Sequence, residues 1–463
     1  MTDVTRRQFS TGLAALAGAS ALHPISAMAN SPLDLVARPG SARLAPKSYP
    51  ETPIWGYDGQ VPGPVIRAVQ GTRLSRRFVN ELPQPSSVHW HGIRIANAMD
   101  GVAGLTQPAV APGDDFLYDF ALPDAGTYWY HPHNRTYEQM ARGLYGALIV
   151  EEETGAPEVD MDEVLLLDDW RLTDDAKIAD GFGNMHDWAH AGRIGNWITV
   201  NGDGGWSRDV PHLTRMRLRL VNTANARIFT LETRGLEGWV VALDGMPLDL
   251  PQPLAELTLA PAQRADLIVD VVADEGEEGL LVSHERDGGY AIAAFSVMSA
   301  LRQARLGAPE ALPPNPVPSL GPLDSARRTE LLMEGGAMGG MRGAMMGGRM
   351  MGMRDMAAEG KVWAFNGMAD MGETPLIEAR RGETLRIAMT NDTAWPHGMH
   401  LHGHHFRQIA EDGAAGPLRD TLLINRGETV EIAFVADNPG DWLLHCHMLE
   451  HSAGGMMTWL RVT

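Results

Sequence analysis

Apolar and polar residues alternate along this chain in short runs, each closed by turn-forming residues. From Pro64 to Asn80 the alternation is interrupted only at Gly71, and a second run covers Phe116 to Phe120 after the turn Ala111-Pro112-Gly113-Asp114. Val88 opens His89-Trp90-His91-Gly92, and Asp124 to Tyr130 leads into His131-Pro132-His133. A period of two is the mark of a strand whose successive side chains face opposite ways. Short strands at this spacing predict an all-β fold of Greek-key sandwiches or barrels.

The same pattern returns near the C-terminus. Pro375 to Asn391 parallels Pro64 to Asn80, with Gly382 answering Gly71 and Asn391 answering Asn80; both runs are followed by a His-x-His-Gly, at 89–92 and 400–403. Asn438 to His447 parallels Asp124 to His133. A fainter copy without His-x-His occupies Leu213 to Asn222 and Leu259 to Asp270. A repeat at this scale predicts three similar β-domains, at 44–155, 160–300 and 325–463, the middle one a spacer. A Pro-rich linker spans 301–324, most marked from Ala308 to Pro322.

The 51 glycines and 30 prolines agree with a turn-rich β chain. The first 29 residues read differently. Arg6-Arg7-Gln8-Phe9, a weakly apolar run from Leu13 to Leu22 and Ala27-Met28-Ala29 are the basic, apolar and small-residue regions of an export signal. Paired arginines before Gln-Phe resemble the twin-arginine signal used for proteins exported folded. The run is too short to span about 30 Å of hydrocarbon, so a soluble periplasmic protein is expected, using the twin-arginine machinery and not inserted in the membrane. Without Asp3, Arg6 and Arg7, a net +1, the formal charge of −20 becomes −21. That acidity argues against nucleic acid as a partner. A single cysteine permits no internal disulfide.

That cysteine is where the chemistry gathers. Cys446 lies between His445 and His447, so on a strand its sulfur faces one way and the two imidazoles the other. With His451 and Met456 downstream, thiolate, imidazole and a weak axial thioether make the donor set of a blue copper centre. Four His-x-His pairs, 89/91, 131/133, 400/402 and 445/447, each present two imidazoles on one face. Eight rings exceed the needs of one ion and suit a cluster of three coppers between the first and last domains. With His397 and His451 they make up ten of the 17 histidines.

His89-Trp90-His91-Gly92, Trp129 to His133, His397 to Gly403 and His445 to His451 with Met456 resemble the four copper motifs of the multicopper oxidases, the family of laccases and bacterial copper-efflux oxidases. The likeness spans nearly the whole mature chain. It implies three cupredoxin domains and four copper ions. The type 1 ion would be held by His397, Cys446, His451 and Met456, and the type 2 ion by His89 and His400. Of the type 3 pair, one ion would take His91, His131 and His447, the other His133, His402 and His445. The family's activity would pass electrons from a reductant through Cys446 to dioxygen, giving water. Asp100 matches a family acid implicated in proton delivery. Glu450, His404 and His405 receive no role.

Between Met333 and Met356 lie nine methionines and eight glycines. Thioethers favour Cu(I), which makes Met338, Met341, Met345, Met346, Met350, Met351, Met353 and Met356 candidates to hold substrate Cu(I). The glycines oppose a helix, so the segment is expected to be mobile and without a core. It resembles the Met-rich segment of bacterial cuprous oxidases, although Trp395 and Ser452 replace a methionine and an acid usual near their type 1 site, and Asp392 is out of step. The first expectation is a periplasmic oxidase of Cu(I) serving copper tolerance. A laccase-like oxidase of phenols or other small organic donors is the second, and a copper-free structural relative the third.

Overall fold

The computed structural model describes residues 33–463; the expected export signal lies outside them. The described residues form three β-sandwiches of cupredoxin type. In the first, the sheet Thr52–Tyr57, Leu33–Ala42, Arg73–Asn80, Asp115–Ala121 faces the sheet Ile66–Val69, Gly146–Glu151, Gly126–His131, His89–His91. Phe78, Trp90, Tyr118 and Tyr130 fill the space between and are fully buried. The second and third each pair a six-stranded with a five-stranded sheet. Among the described residues no helix is long and apolar enough to cross a membrane.

The repeat has a structural content. In each sandwich the first long strand runs parallel to the alternating one, Leu33 beside Arg76, Met161 beside Met216 and Arg327 beside Leu385. The asparagine ending the alternating strand does the same work three times. The Nδ2 of Asn80, Asn222 and Asn391 donates to the carbonyls of Val110, Leu259 and Ile424, and their Oδ1 accepts from the amides of Leu82, Ala224 and Thr393. Each satisfies buried backbone groups where the strand stops, at positions an unpaired amide could occupy only at a cost of about 1–3 kcal/mol.

The first sandwich begins before residue 44. Leu33–Ala42 buries only Leu35 and Ala37 and includes Pro39 and Gly40, which blurs its alternation. One continuous apolar core joins the first and third sandwiches, from Phe78, Trp90 and Tyr130 to Met399, Leu444 and Met456. The middle sandwich has its own.

The methionine-rich segment is ordered. Gly343–Met346 pairs antiparallel with Arg349–Gly352, Met346 opposite Arg349, and a helix follows at Met353–Ala358. Gly347 and Gly348 have φ of 56° and 73°, the two positive values a two-residue hairpin turn requires. Ala344, Met356, Ala364 and Ala369 form a small core beneath it. Met356 therefore leaves the set of accessible thioethers: it is fully buried among alanines. Met338 and Met350 are the most exposed, at 78% and 71%.

Candidate metal centre

Strand pairing brings the histidine pairs together. His89 lies opposite His131 in the first sandwich and His400 opposite His445 in the third. Where the two abut, His91 stacks on His400 with ring centres 3.7 Å apart, and His89 lies against His402 at 4.0 Å. The ligand atoms of His91, His131 and His447 lie within 4.8 Å of one another, as do those of His133, His402 and His445, of His89, His91 and His400, and of His397, Cys446 and His451. All are buried except the half-buried His133. The glycine after His91 has φ +86°, and a side chain there would collide with the Arg264 guanidinium and Asp420 carboxylate. Only glycine serves both needs.

Hydrogen bonds fix which nitrogens face inward. His402 Nδ1 donates to Asp100 Oδ2 at 3.0 Å and His445 Nδ1 to the Cys446 carbonyl at 2.9 Å. In the neutral rings both Nε2 atoms are then bare lone pairs, yet they face each other across 3.1 Å. The same holds beside the thiol. His397 Nε2 meets the Thr393 hydroxyl at 2.8 Å and His451 Nε2 donates to the His190 carbonyl at 2.6 Å, while the two Nδ1 atoms stand 3.1 Å apart, 3.6 and 3.8 Å from Cys446 Sγ. His89 and His400 point Nδ1 at the carbonyls of Asp100 and Asp420, at 2.8 and 2.9 Å, and leave Nε2 without a partner. Opposed lone pairs in a dry site repel. A cation between them turns each pair into ligands, and outward N–H donation of this kind is how metal-bound imidazoles are oriented. The residues fit a soft-to-borderline metal such as copper. Met456 is fully buried, and its carbonyl accepts from the Cys446 amide.

Burial and neighbouring rings hold the imidazoles of His91, His131, His402 and His445 well below their usual pKa. His133 falls to about 3, and His451 and His404 to about 4, burial again the chief cause. Burial pushes the Cys446 thiol up to about 12, so a thiolate there requires a cation beside it. Because the unfolded rings titrate near pH 6.5, the folded metal-free protein binds fewer protons below that pH. Stability is full above about pH 6.5 and falls as pH drops toward 4, by roughly 3 kcal/mol for a ring held at 4. Glu450, which burial pushes up to about 7, acts in the opposite sense over that range but is one group against many. The metal-free protein is expected to need markedly less urea to unfold at about pH 4.5 than at about pH 7.5. Equal midpoints would overturn this.

Several partners of the site were not foreseen from the sequence. Asp420, fully buried, holds Oδ1 3.3 Å from His91 Nε2 and 3.5 Å from His400 Nδ1, and Arg264 clamps its carboxylate with two bonds of 2.8 and 2.6 Å. Burial works to raise the Asp420 pKa, but the Arg264 guanidinium and His91 hold it well below the carboxylate range. Arg264 belongs to the middle sandwich, as do the His190 carbonyl on His451 and Asn225, which donates to Glu450 Oε1 at 3.0 Å. The middle domain is therefore more than a spacer; it supplies the outer support of both centres. Asp100 sits between His89 and His402. Ser452 Oγ is 3.3 Å from His445 Nδ1. His404 Nδ1 donates to the His402 carbonyl, and His405 lies 3.6 Å from Asp420. A largely apolar cavity of about 250 Å³, bounded by Val102, Leu449 and Ser452, reaches His131, His133 and His445.

Models of the multicopper oxidase family match residues 40–155, 162–284 and 348–463. The multicopper oxidase MmcO of Mycobacterium tuberculosis (strain ATCC 25618 / H37Rv) is 30% identical over 436 residues, covering 87% of this chain and 82% of that protein. Copper resistance protein A of Escherichia coli is 25% identical over 548 residues, 88% of each. The crystal structure of Lac15 from a marine microbial metagenome is 43% identical, covers 93% of this chain and 100% of its own, and superposes with a TM-score of 0.77. Inward-facing imidazoles around a lone thiol had already pointed to copper; with the match running through all three sandwiches, the chain belongs to the multicopper oxidases, copper-dependent oxidoreductases that use dioxygen.

Proposed function

We propose that this oxidase takes its electrons from Cu(I), in the periplasm and after export by the twin-arginine route, and so serves copper tolerance. Four coppers would be held: a type 1 ion by His397, Cys446, His451 and Met456, a type 2 ion by His89 and His400, and a type 3 pair by His91, His131 and His447 and by His133, His402 and His445. When bound, copper supplies the one-electron oxidation of the donor and the four-electron reduction of dioxygen to water. The protein's own part is wiring and proton handling. Cys446 ends the strand Gly440–Cys446 with its sulfur on the mononuclear side, and the peptide bonds to His445 and His447 form a covalent path to the other. Asp100 Oδ2, accepting from His402 Nδ1, is a carboxylate placed to hold a proton beside the cluster. Outer partners keep the rings of His89, His400, His402, His445 and His451 in the tautomer that leaves the inner nitrogen bare.

The observation that carries the reductant is the ordered methionine hairpin. Its small core is continuous in sequence with Trp363, whose ring lies 4.5 Å from that of His451. Thioethers are soft donors and suit a monovalent copper ion better than a phenol. Replacing Met341, Met345, Met350 and Met351 together by leucine preserves volume and costs little stability. It is expected to lower kcat/KM for Cu(I) by about tenfold or more, about 1.4 kcal/mol, and to change that for a bulky phenol far less. Parallel losses, or an unchanged Cu(I) rate, would favour a laccase-like oxidase of organic donors.

A further inference from the structure

The type 1 imidazoles of this proposal do not reach solvent: His397 and His451 are both fully buried. Against His451 lies a short helix of the middle sandwich, Met185–Ala189, ending in His190. Three consecutive carbonyls fasten it down. Trp188 accepts from Trp363 Nε1, Ala189 from the Ala337 amide and His190 from His451 Nε2, each at 2.6 Å. The third bond ties the helix end to a proposed copper ligand.

Its outer face carries His186 and His190, four residues apart and therefore on one side of the turn. Their rings stack at 4.3 Å with planes 10° apart. His190 Nδ1 donates to the His186 carbonyl at 3.0 Å, which leaves Nε2 as the lone-pair atom and gives the ring the outward N–H bond usual for metal-ligating imidazoles. The His186 side chain is 79% exposed and free to re-aim. Two exposed thioethers flank the pair: Met185 precedes His186, and Met338 follows Ala337, which is bonded to Ala189. Trp395 closes one side, its ring 5.4 Å from that of His190. The only acid in the turn, Asp187, is buried and committed to Arg171 and Asn184. Neutral nitrogen and sulfur donors without a free carboxylate disfavour hard cations and favour a soft monovalent one.

We propose that His186 and His190, with a thioether from Met185 or Met338, form the docking site at which the reductant Cu(I) ion delivers its electron. This rests on Cu(I) being the reductant. The docked ion loses one electron and departs as Cu(II). The electron leaves by the His190 main chain and the single hydrogen bond to His451, and four such events match the four electrons that dioxygen takes up with four protons to give two waters. Methionines of the hairpin then serve to collect the ion, and the histidine pair to discharge it.

The test uses the copper-loaded protein and silver(I), a redox-inert monovalent probe, titrated against a competing chelator. The wild-type protein is expected to bind silver with nitrogen as well as sulfur neighbours by X-ray absorption. His186→Gln/His190→Gln is expected to lose the nitrogen neighbours. Its affinity should fall at least as far as the roughly 10- to 100-fold that loss of an outer-shell partner costs a metal site. Should the double variant fail to hold its resident copper, His186→Gln alone, on an exposed side chain, carries the same expectation. Unchanged silver affinity with sulfur-only coordination would overturn the site, and zinc(II) bound as tightly as silver(I) would overturn its assignment to a soft monovalent ion. Turnover judges the other premise separately: a wild-type enzyme that binds silver at this site yet never oxidises Cu(I) retains the site and loses the reductant.

Discussion

Cys446→Ser is expected to remove the intense visible colour of the copper-loaded protein and to cut oxidase turnover by about a thousandfold or more, a barrier increase of about 4 kcal/mol. The hydroxyl fits the space but cannot replace the sulfur. It is a hard donor that stays protonated beside copper under conditions in which a thiol ionises, so the path to His445 and His447 loses its origin. Folding should survive, because the Met448 amide that donates to Sγ at 3.4 Å can donate to the serine oxygen, and a satisfied buried hydroxyl costs little. Absorption, steady-state oxygen consumption and copper per chain check this together. A colourless variant that retained wild-type turnover would remove Cys446 from the electron path.

Arg264→Leu should produce the largest loss of stability of any single change near the centre, about 3–5 kcal/mol. Arg264 and Asp420 are both wholly buried, and the substitution leaves the carboxylate unpaired against His91 and His400. An uncompensated charge in a dry interior either remains, at that cost, or takes up a proton and ceases to orient the rings. Copper content at the imidazole cage is expected to fall with the melting temperature, although the mutated residue lies in the sandwich that holds none of the ten histidines of the two centres. Arg264→Leu/Asp420→Asn removes the orphaned charge and should recover part of the loss, the coupling a double-mutant cycle reads. A single variant with unaltered melting and full copper would show that the middle sandwich does not support the site.

The two changes also mark what could be read from residue order. The histidine pairs and Cys446 were legible because their information is local: i and i+2 on one strand share a face, and repetition of the pattern makes chance implausible. The three-sandwich plan was legible for the same reason. Asp420 and Arg264 were not, since a carboxylate 329 positions from His91 and an arginine within an ordinary alternating strand carry no periodic mark. The His190 carbonyl on His451 carries none either, because every residue has a carbonyl. The hairpin is a different kind of miss. Gly347-Gly348 between two methionine pairs is the local signal of a two-residue turn, and the abundance of glycine concealed it. Met356 followed, since a thioether is available only where the segment has no interior, and this one has.

The imidazole cage draws half its rings from residues 89–133 and half from 400–447, and this bears on how the protein is made. A nascent chain still short of residue 400 can offer an ion at most two rings of any of the three-histidine sets, sites of low affinity and little discrimination. Capture of the resident metal therefore belongs after synthesis of the last strand, as the final act of folding rather than its seed. Contacts closed across more than 300 residues form slowly. A cell that produces this protein must keep its ends apart from neighbouring chains, and from the wrong metals, until they have found each other.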